Sequence, residues 1–136
     1  MPDLNVLVVD DEPAVRQVLA AAIGKAGYAV ESAASASEAL ARLDKTPFDV
    51  VLSDVFMPVT DGIELLKQAR ARGHAATFIM VTAFASVDSA IDAIKAGAWD
   101  YITKPVRNEE ILHRLEQIEA MQGLREENRA LRTLVM

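Results

Sequence analysis

The chain contains no cysteine. Disulfides, thiolate-ligated zinc, iron–sulfur clusters and thiol catalysis are thereby excluded. Long apolar runs are missing as well, and none approaches the ~20 residues needed to span a bilayer. A basic balance is also absent: 14 Lys and Arg stand against 20 Asp and Glu, a formal charge of −6. An acidic surface repels phosphate backbones, so the chain itself is expected to bind no nucleic acid, and without a long apolar run no membrane association is expected. Asp3 stands where a secretory leader would carry basic and then apolar residues, so no signal peptide is expected and a cytoplasmic location is. The six glycines form neither G-x-G-x-x-G nor G-x-x-x-x-G-K. Dinucleotide and P-loop sites therefore lack their fingerprints.

What is present has an ordinary globular balance: 136 residues, 51 % apolar and 25 % charged. One domain with a short appendage fits that length. Short apolar runs alternate with helical periodicity. Strands are expected over 4–9, 28–33, 49–53, 77–81 and 100–103. Helices are expected after Pro13, after Ser35 or Ser37, from Ile63, from Ser86 to Gly97, and from Asn108 onward. Pro13 at the first turn and glycine beyond the end match the asymmetry of helix termini. Five βα units with apolar strands predict a parallel sheet covered by helices on both faces, a doubly wound α/β fold.

In such a sheet, ligands bind beyond the carboxyl ends of the strands. Asp10 and Asp11 follow strand one, Asp54 follows strand three, Thr82 follows strand four and Lys104 follows strand five. Taken singly, each has an ordinary reading as a helix cap, a turn former or a solvated charge. Their joint arrival at one sheet edge points elsewhere. Three close carboxylates repel and need a cation, and an all-oxygen site suits magnesium. A fixed ammonium and a hydroxyl can hold phosphoryl oxygens, so the set suits phosphoryl transfer to a carboxylate. His74 and His113 are expected to be solvated, Asp61 to belong to the turn before Gly62, and Trp99 to lie on a surface near strand five.

The pieces Val8-Val9-Asp10-Asp11-Glu12-Pro13, Asp54-Val55-Phe56-Met57-Pro58-Val59-Thr60-Asp61-Gly62, Val81-Thr82-Ala83 and Gly97-Ala98-Trp99-Asp100-Tyr101-Ile102-Thr103-Lys104-Pro105 carry a resemblance. Together, in this order, they resemble the receiver domain of bacterial two-component response regulators. The resemblance implies a flavodoxin-like five-stranded sheet of order 2-1-3-4-5 with an extended C-terminal helix. It implies that Asp54 is the phosphoacceptor. Asp11 would bind magnesium directly and Asp10 through water, with Asp54 and the backbone carbonyl of Phe56 completing the protein's ligands. Lys104 would pair with the phosphoryl group, and Thr82 would bond one of its oxygens. Tyr101 would be the switch residue, with a half-buried strand tyrosine as the rival reading. The Lys104–Pro105 bond is expected to be cis. The implied partner is a sensor histidine kinase, and the implied role is a signalling phosphoacceptor rather than an enzyme. An aspartate-nucleophile magnesium phosphatase remains an alternative, although Phe56 stands where such enzymes resembling the haloacid dehalogenase family need an acid/base Asp. A receiver-like interaction module that is never phosphorylated is another.

The resemblance divides the chain into a receiver domain over 1–121 and a helical linker or short coiled-coil segment over 122–136. In that segment a heptad fits, with Met121, Asn128 and Val135 at a and Leu124 and Leu131 at d. An Asn at a favours a parallel, in-register pair at some cost in stability, so a homodimer seam is expected. The rival reading is a charged, fraying helix or linker. The sequence ends within the helical pattern, so an output domain is expected beyond it. The linker resembles that of NtrC-like enhancer-binding regulators, which implies an ATPase followed by a DNA-binding unit and a role in transcription regulation.

Overall fold

The computed structural model describes residues 4–135, and side chains as far as Leu124. Five strands and five helices alternate: β1 (Asn5–Val9), α1 (Pro13–Lys25), β2 (Ala29–Ala33), α2 (Ala36–Lys45), β3 (Val50–Asp54), α3 (Gly62–Ala71), β4 (Thr77–Thr82), α4 (Val87–Ala96), β5 (Asp100–Thr103) and α5 (Asn108–Val135). All neighbouring strands are parallel, in the order β2-β1-β3-β4-β5. This is the expected doubly wound sheet.

The period-2 alternation of strand side chains sorts the core into two layers. Leu7, Val9, Val51, Phe78 and Met80 face α2, α3 and α4, where Leu40, Leu43, Leu65, Leu66 and Ala93 meet them. Val6, Val8, Leu52, Ile79 and Val81 face α1 and α5, where Leu19, Ile23, Ile111, Leu115 and Ile118 meet them. Only the central strands are buried on both faces. β2 is an edge strand, and Ala29 and Glu31 are exposed, so its burial is narrower than its apolar run suggested.

Helix starts follow local chemistry. The hydroxyl of Ser35, rather than Ser37, caps α2 by accepting from the Glu38 N–H at 3.2 Å. Asp61 is more than a turn residue: its carboxylate accepts from the Glu64 N–H at 2.8 Å and caps α3, which starts at Gly62. Ser86 caps α4 in the same way, and Gly97 ends it at φ 109°, a conformation favoured in glycine. α4 is unusual in its packing. Its inner face is made of Ala90, Ala93 and Ala96, while Val87, Ile91 and Ile94 stand outside with about half or more of their surface exposed.

Trp99 is half-buried against the α1/α5 layer instead of lying on the surface, because its N–H bonds the Phe78 carbonyl at 2.7 Å and draws the chain inward. His113 is exposed as expected. His74 is not: its Nε2 lies 2.8 Å from Asp44 Oδ1, and Arg72 takes the other oxygen of the same carboxylate. The bond from His74, then the Arg72 charge, hold Asp44 below the usual carboxylate range.

Gly62 is held by its surroundings. Its N–H donates to the Val55 carbonyl at 2.7 Å. A Cβ there would collide with the Asp54 carbonyl oxygen and stand 2.9 Å from Ser53 Oγ. Backbone cannot yield as a flexible side chain does. Gly62→Ala is therefore expected to destabilise the fold by roughly 1–3 kcal/mol, read as a lowered urea midpoint. An unchanged midpoint would show that the loop after β3 shifts without resistance.

Candidate functional site

The site lies where β1, β3, β4 and β5 end. β3 and β4 each run one residue further than expected, so Asp54 and Thr82 are the last residues of their strands. Register places Asp54 beside Val81 and Thr82 beside Thr103, which brings the strand ends level. Parallel pairing thus carries residues far apart in sequence to one edge.

Asp10, Asp11 and Asp54 each offer a carboxylate oxygen, and these atoms lie within 4.8 Å of one another. Asp10 and Asp54 are buried and Asp11 is exposed. Lys104 Nζ bridges the two buried carboxylates, 2.9 Å from Asp10 Oδ2 and 3.1 Å from Asp54 Oδ2. The other Asp10 oxygen accepts from the Glu12 N–H at 2.9 Å, and Asp54 Oδ1 accepts from the Phe56 N–H at 3.2 Å. Each buried carboxylate therefore has both oxygens engaged.

The electrostatics follow from this geometry. Burial pushes the Asp54 carboxyl above the ordinary aspartate range, and the Lys104 ammonium offsets the rise only in part. Burial alone would push Lys104 down. The hydrogen bonds and charges of Asp10 and Asp54 outweigh it and hold the ammonium above the usual lysine range. The donor set is all hard oxygen and clustered tightly, which fits a small divalent cation such as magnesium.

Thr82 is fully buried, and its Oγ1 accepts from the Phe84 N–H at 3.1 Å. The Lys104 N–H bonds the Thr82 carbonyl at 2.8 Å, which ties the strand-four and strand-five ends together. The Lys104–Pro105 bond is cis, as expected. Phe56 and Phe84 are both exposed, yet their rings meet edge-to-face with centroids 6.2 Å apart. Tyr101 stands apart from the acidic cluster. It is half-buried against the α2/α3/α4 core, and its hydroxyl donates to Ser89 Oγ on α4 at 3.0 Å.

Among the expected seam residues, Met121 is half-buried and Leu124 exposed on a helix that runs unbroken from Asn108 to Val135. Asn128, Leu131 and Val135 lie outside the residues whose side chains are described. Among the described residues, no helix is long and apolar enough to cross a membrane.

Sequence reasoning missed three partners here. Ser89 ties Tyr101 to α4, and Ser53 Oγ donates to the Asp54 carbonyl at 2.9 Å. Arg16 of α1 donates to the Asp10 carbonyl at 2.7 Å. Serines and an arginine on helical stretches read as solvated, and only Ser53, beside Asp54 at the end of an apolar run, carried a signal that could have found it.

Comparison with known proteins agrees with this geometry. Residues 6–116 match the response regulator receiver domain model. The chain is 40 % identical over 114 residues to the transcriptional regulatory protein ZraR of Salmonella typhimurium, covering 84 % of this chain and 26 % of that protein. It is 35 % identical over 127 residues to the regulatory protein AtoC of Escherichia coli, covering 93 % of this chain and 28 % of that one. The chain thus spans about a quarter of the length of these relatives. A crystal structure of a CheY-like receiver domain protein from Methanospirillum hungatei superposes with a TM-score of 0.85 at 33 % identity, over 90 % of this chain and 98 % of that one. With its five parallel strands in order 2-1-3-4-5 and its acidic sheet edge, and with relatives among regulators of the NtrC type, the chain belongs to the response regulator receiver domain family.

Proposed function

We propose that Asp54 is the residue that accepts the phosphoryl group, and that Asp10, Asp11, Asp54 and the Phe56 carbonyl hold a magnesium ion beside it. The carrying observation is the convergence of three carboxylates with one bridging ammonium at four strand ends. Bound there, magnesium would neutralise charge on the acidic cluster and on phosphoryl oxygens. The residues do the rest. An Asp54 oxygen attacks phosphorus and forms the acyl phosphate. The P–N bond of a donor phosphohistidine breaks, and its electron pair stays on the imidazole. Lys104 Nζ leaves Asp54 for a phosphoryl oxygen while staying against Asp10, and Thr82 turns its hydroxyl to another. Once Thr82 moves, Tyr101 can leave Ser89 and fill the space behind it, which carries the change to α4 and β5.

The donor is a sensor histidine kinase. An open, mostly apolar groove of about 500 Å³ runs beside Lys104, lined by Val15, Val18, Ala83 and Pro105 among others, and gives a partner a place next to the site. The chain works in the cytoplasm as a signalling phosphoacceptor, not as a turnover enzyme. Phe56 supports that reading, since a phosphatase of this chemistry needs a carboxylate there. Its output is of the kind the NtrC-like resemblance implies, an ATPase with a DNA-binding unit. Labelling with magnesium and acetyl phosphate, followed by mass analysis, tests the central assignment.

The receiver occupies residues 1–121, and the segment over 122–136 pairs with a second copy. The exposed Leu124 supports this seam. Gly123 weakens the helix by ~1 kcal/mol relative to alanine, so the pairing is expected to be a reversible equilibrium. Light scattering should give a higher mass for the whole chain than for one ended at Met121, and equal masses would remove the seam.

A further inference from the structure

We infer that Arg16, on the first turns of α1, is a positioning residue for the acidic cluster: it fixes the turn that aims Asp11. The inference rests on the proposed metal site and adds a residue to it.

Every polar group of Asp10 has a partner. Its N–H bonds the Ala33 carbonyl at 3.2 Å, and its carboxylate oxygens take Glu12 and Lys104. The remaining group, its carbonyl oxygen, accepts from Arg16 Nη1 at 2.7 Å. That carbonyl belongs to the peptide unit joining Asp10 to Asp11. The unit is planar, so fixing the oxygen fixes the plane that carries the Asp11 nitrogen and Cα. Asp11 is exposed, unlike the other two carboxylates, and among the described residues no hydrogen bond or ion pair holds its side chain. Its direction is therefore set mainly by the backbone on which it stands.

Arg16 is well suited to this. Its own N–H bonds the Glu12 carbonyl at 3.1 Å, so the helix that starts behind the turn carries the guanidinium back over it. It is half-buried and, among the described residues, forms no ion pair within 4.0 Å, although it reaches the Asp10 backbone and its charge is felt by the Glu38 carboxylate. A guanidinium that bonds a carbonyl amid carboxylates is held by geometry rather than by charge pairing.

Two readings of Arg16 predict opposite signs. As a mere positive charge near three carboxylates, it opposes cation binding, and its removal should tighten magnesium. As a positioning residue, its removal lets the Asp10–Asp11 plane turn and weakens magnesium. The test is magnesium titration by calorimetry on the whole chain, with Arg16→Met and Arg16→Gln as neutral variants and Arg16→Lys as the conservative one. Folding of each is first checked by its circular-dichroism melt, and Gln serves where Met does not fold. The expected result is binding about tenfold weaker in the neutral variants, with Lys in between. Unchanged or tighter binding in the neutral variants would overturn the assignment of Arg16. A wild type that binds no magnesium, or an Asp11→Ala variant that binds it normally, would overturn the metal site as well.

Discussion

Asp54→Asn should take up no phosphoryl group from acetyl phosphate or from a phosphorylated kinase. The amide is nearly isosteric with the carboxylate, so β3 and its neighbours should keep their packing. It is not a nucleophile, however, and cannot form the acyl phosphate. Mass analysis should find one added phosphoryl group on the wild type and none on the variant. Normal labelling of the variant would displace Asp54 from its role. The same substitution should raise the melting temperature at neutral pH in magnesium-free buffer. Burial raises the folded pKa of Asp54 despite Lys104. The folded state therefore binds the proton more tightly than the unfolded chain does. Stability falls as pH rises from the ordinary aspartate value through the raised folded value, and it stays lower above it. Asn carries no such cost. The gain should shrink as pH falls from the raised folded value toward about 4, the ordinary aspartate pKa, and be absent below it. A variant that melts lower than wild type at pH 7 would mean that the contact with Lys104 outweighs the cost of burying the charge.

A second large effect is expected in the loss of the phosphoryl group. Hydrolysis of an acyl phosphate requires a water in line with phosphorus, opposite the Asp54 oxygen. Phe56 and Phe84 each follow a site residue by two positions, and their exposed rings meet edge-to-face with centroids 6.2 Å apart. Two apolar rings cannot orient a water, and a ring pair over its line of approach would obstruct it. Their N–H groups bond Asp54 Oδ1 and Thr82 Oγ1, so the rings are rooted in the site itself. Replacing them by Phe56→Asn and Phe84→Glu supplies polar groups that can hold a water in an attacking pose and accept its proton. Phosphate release from the double variant should be faster by about tenfold or more at equal magnesium. The rival view is that both rings point to solvent and that Lys104 and magnesium set the rate. Equal or slower release from the double variant would support that view and leave the receiver assignment intact.

The strand ends were legible because two independent regularities coincide there. Apolar runs show where strands stop, and parallel sheets bind ligands beyond those stops, so Asp10, Asp11, Asp54, Thr82 and Lys104 could be grouped before any coordinates. Contacts made across elements were not legible. His74 read as a solvated loop residue, because nothing local announces a carboxylate 30 positions earlier. Tyr101 could be marked by resemblance, but its partner Ser89 depends on how α4 lies against β5. Trp99 reads as surface until the Phe78 carbonyl that captures its backbone is known. Arg16 sits on an ordinary helix, and its bond is to a backbone oxygen, a partner that every residue offers and no sequence marks.

The seating of α4 has a consequence for the order in which this molecule comes apart. α5 is anchored by Ile111, Leu115 and Ile118, all essentially fully buried. Such side chains contribute about 1.5–3 kcal/mol each, whereas a buried methyl contributes about 0.8 kcal/mol. α4 rests mainly on methyls and keeps its larger side chains in water. Opening α4 therefore exposes little new apolar surface, while opening α5 lays the sheet bare. Amide protons of α4 should exchange with solvent through a local event of low free energy, long before the global unfolding that releases β1, β3 and α5. The helix whose Ser89 holds Tyr101 is thus far less costly to melt than α5.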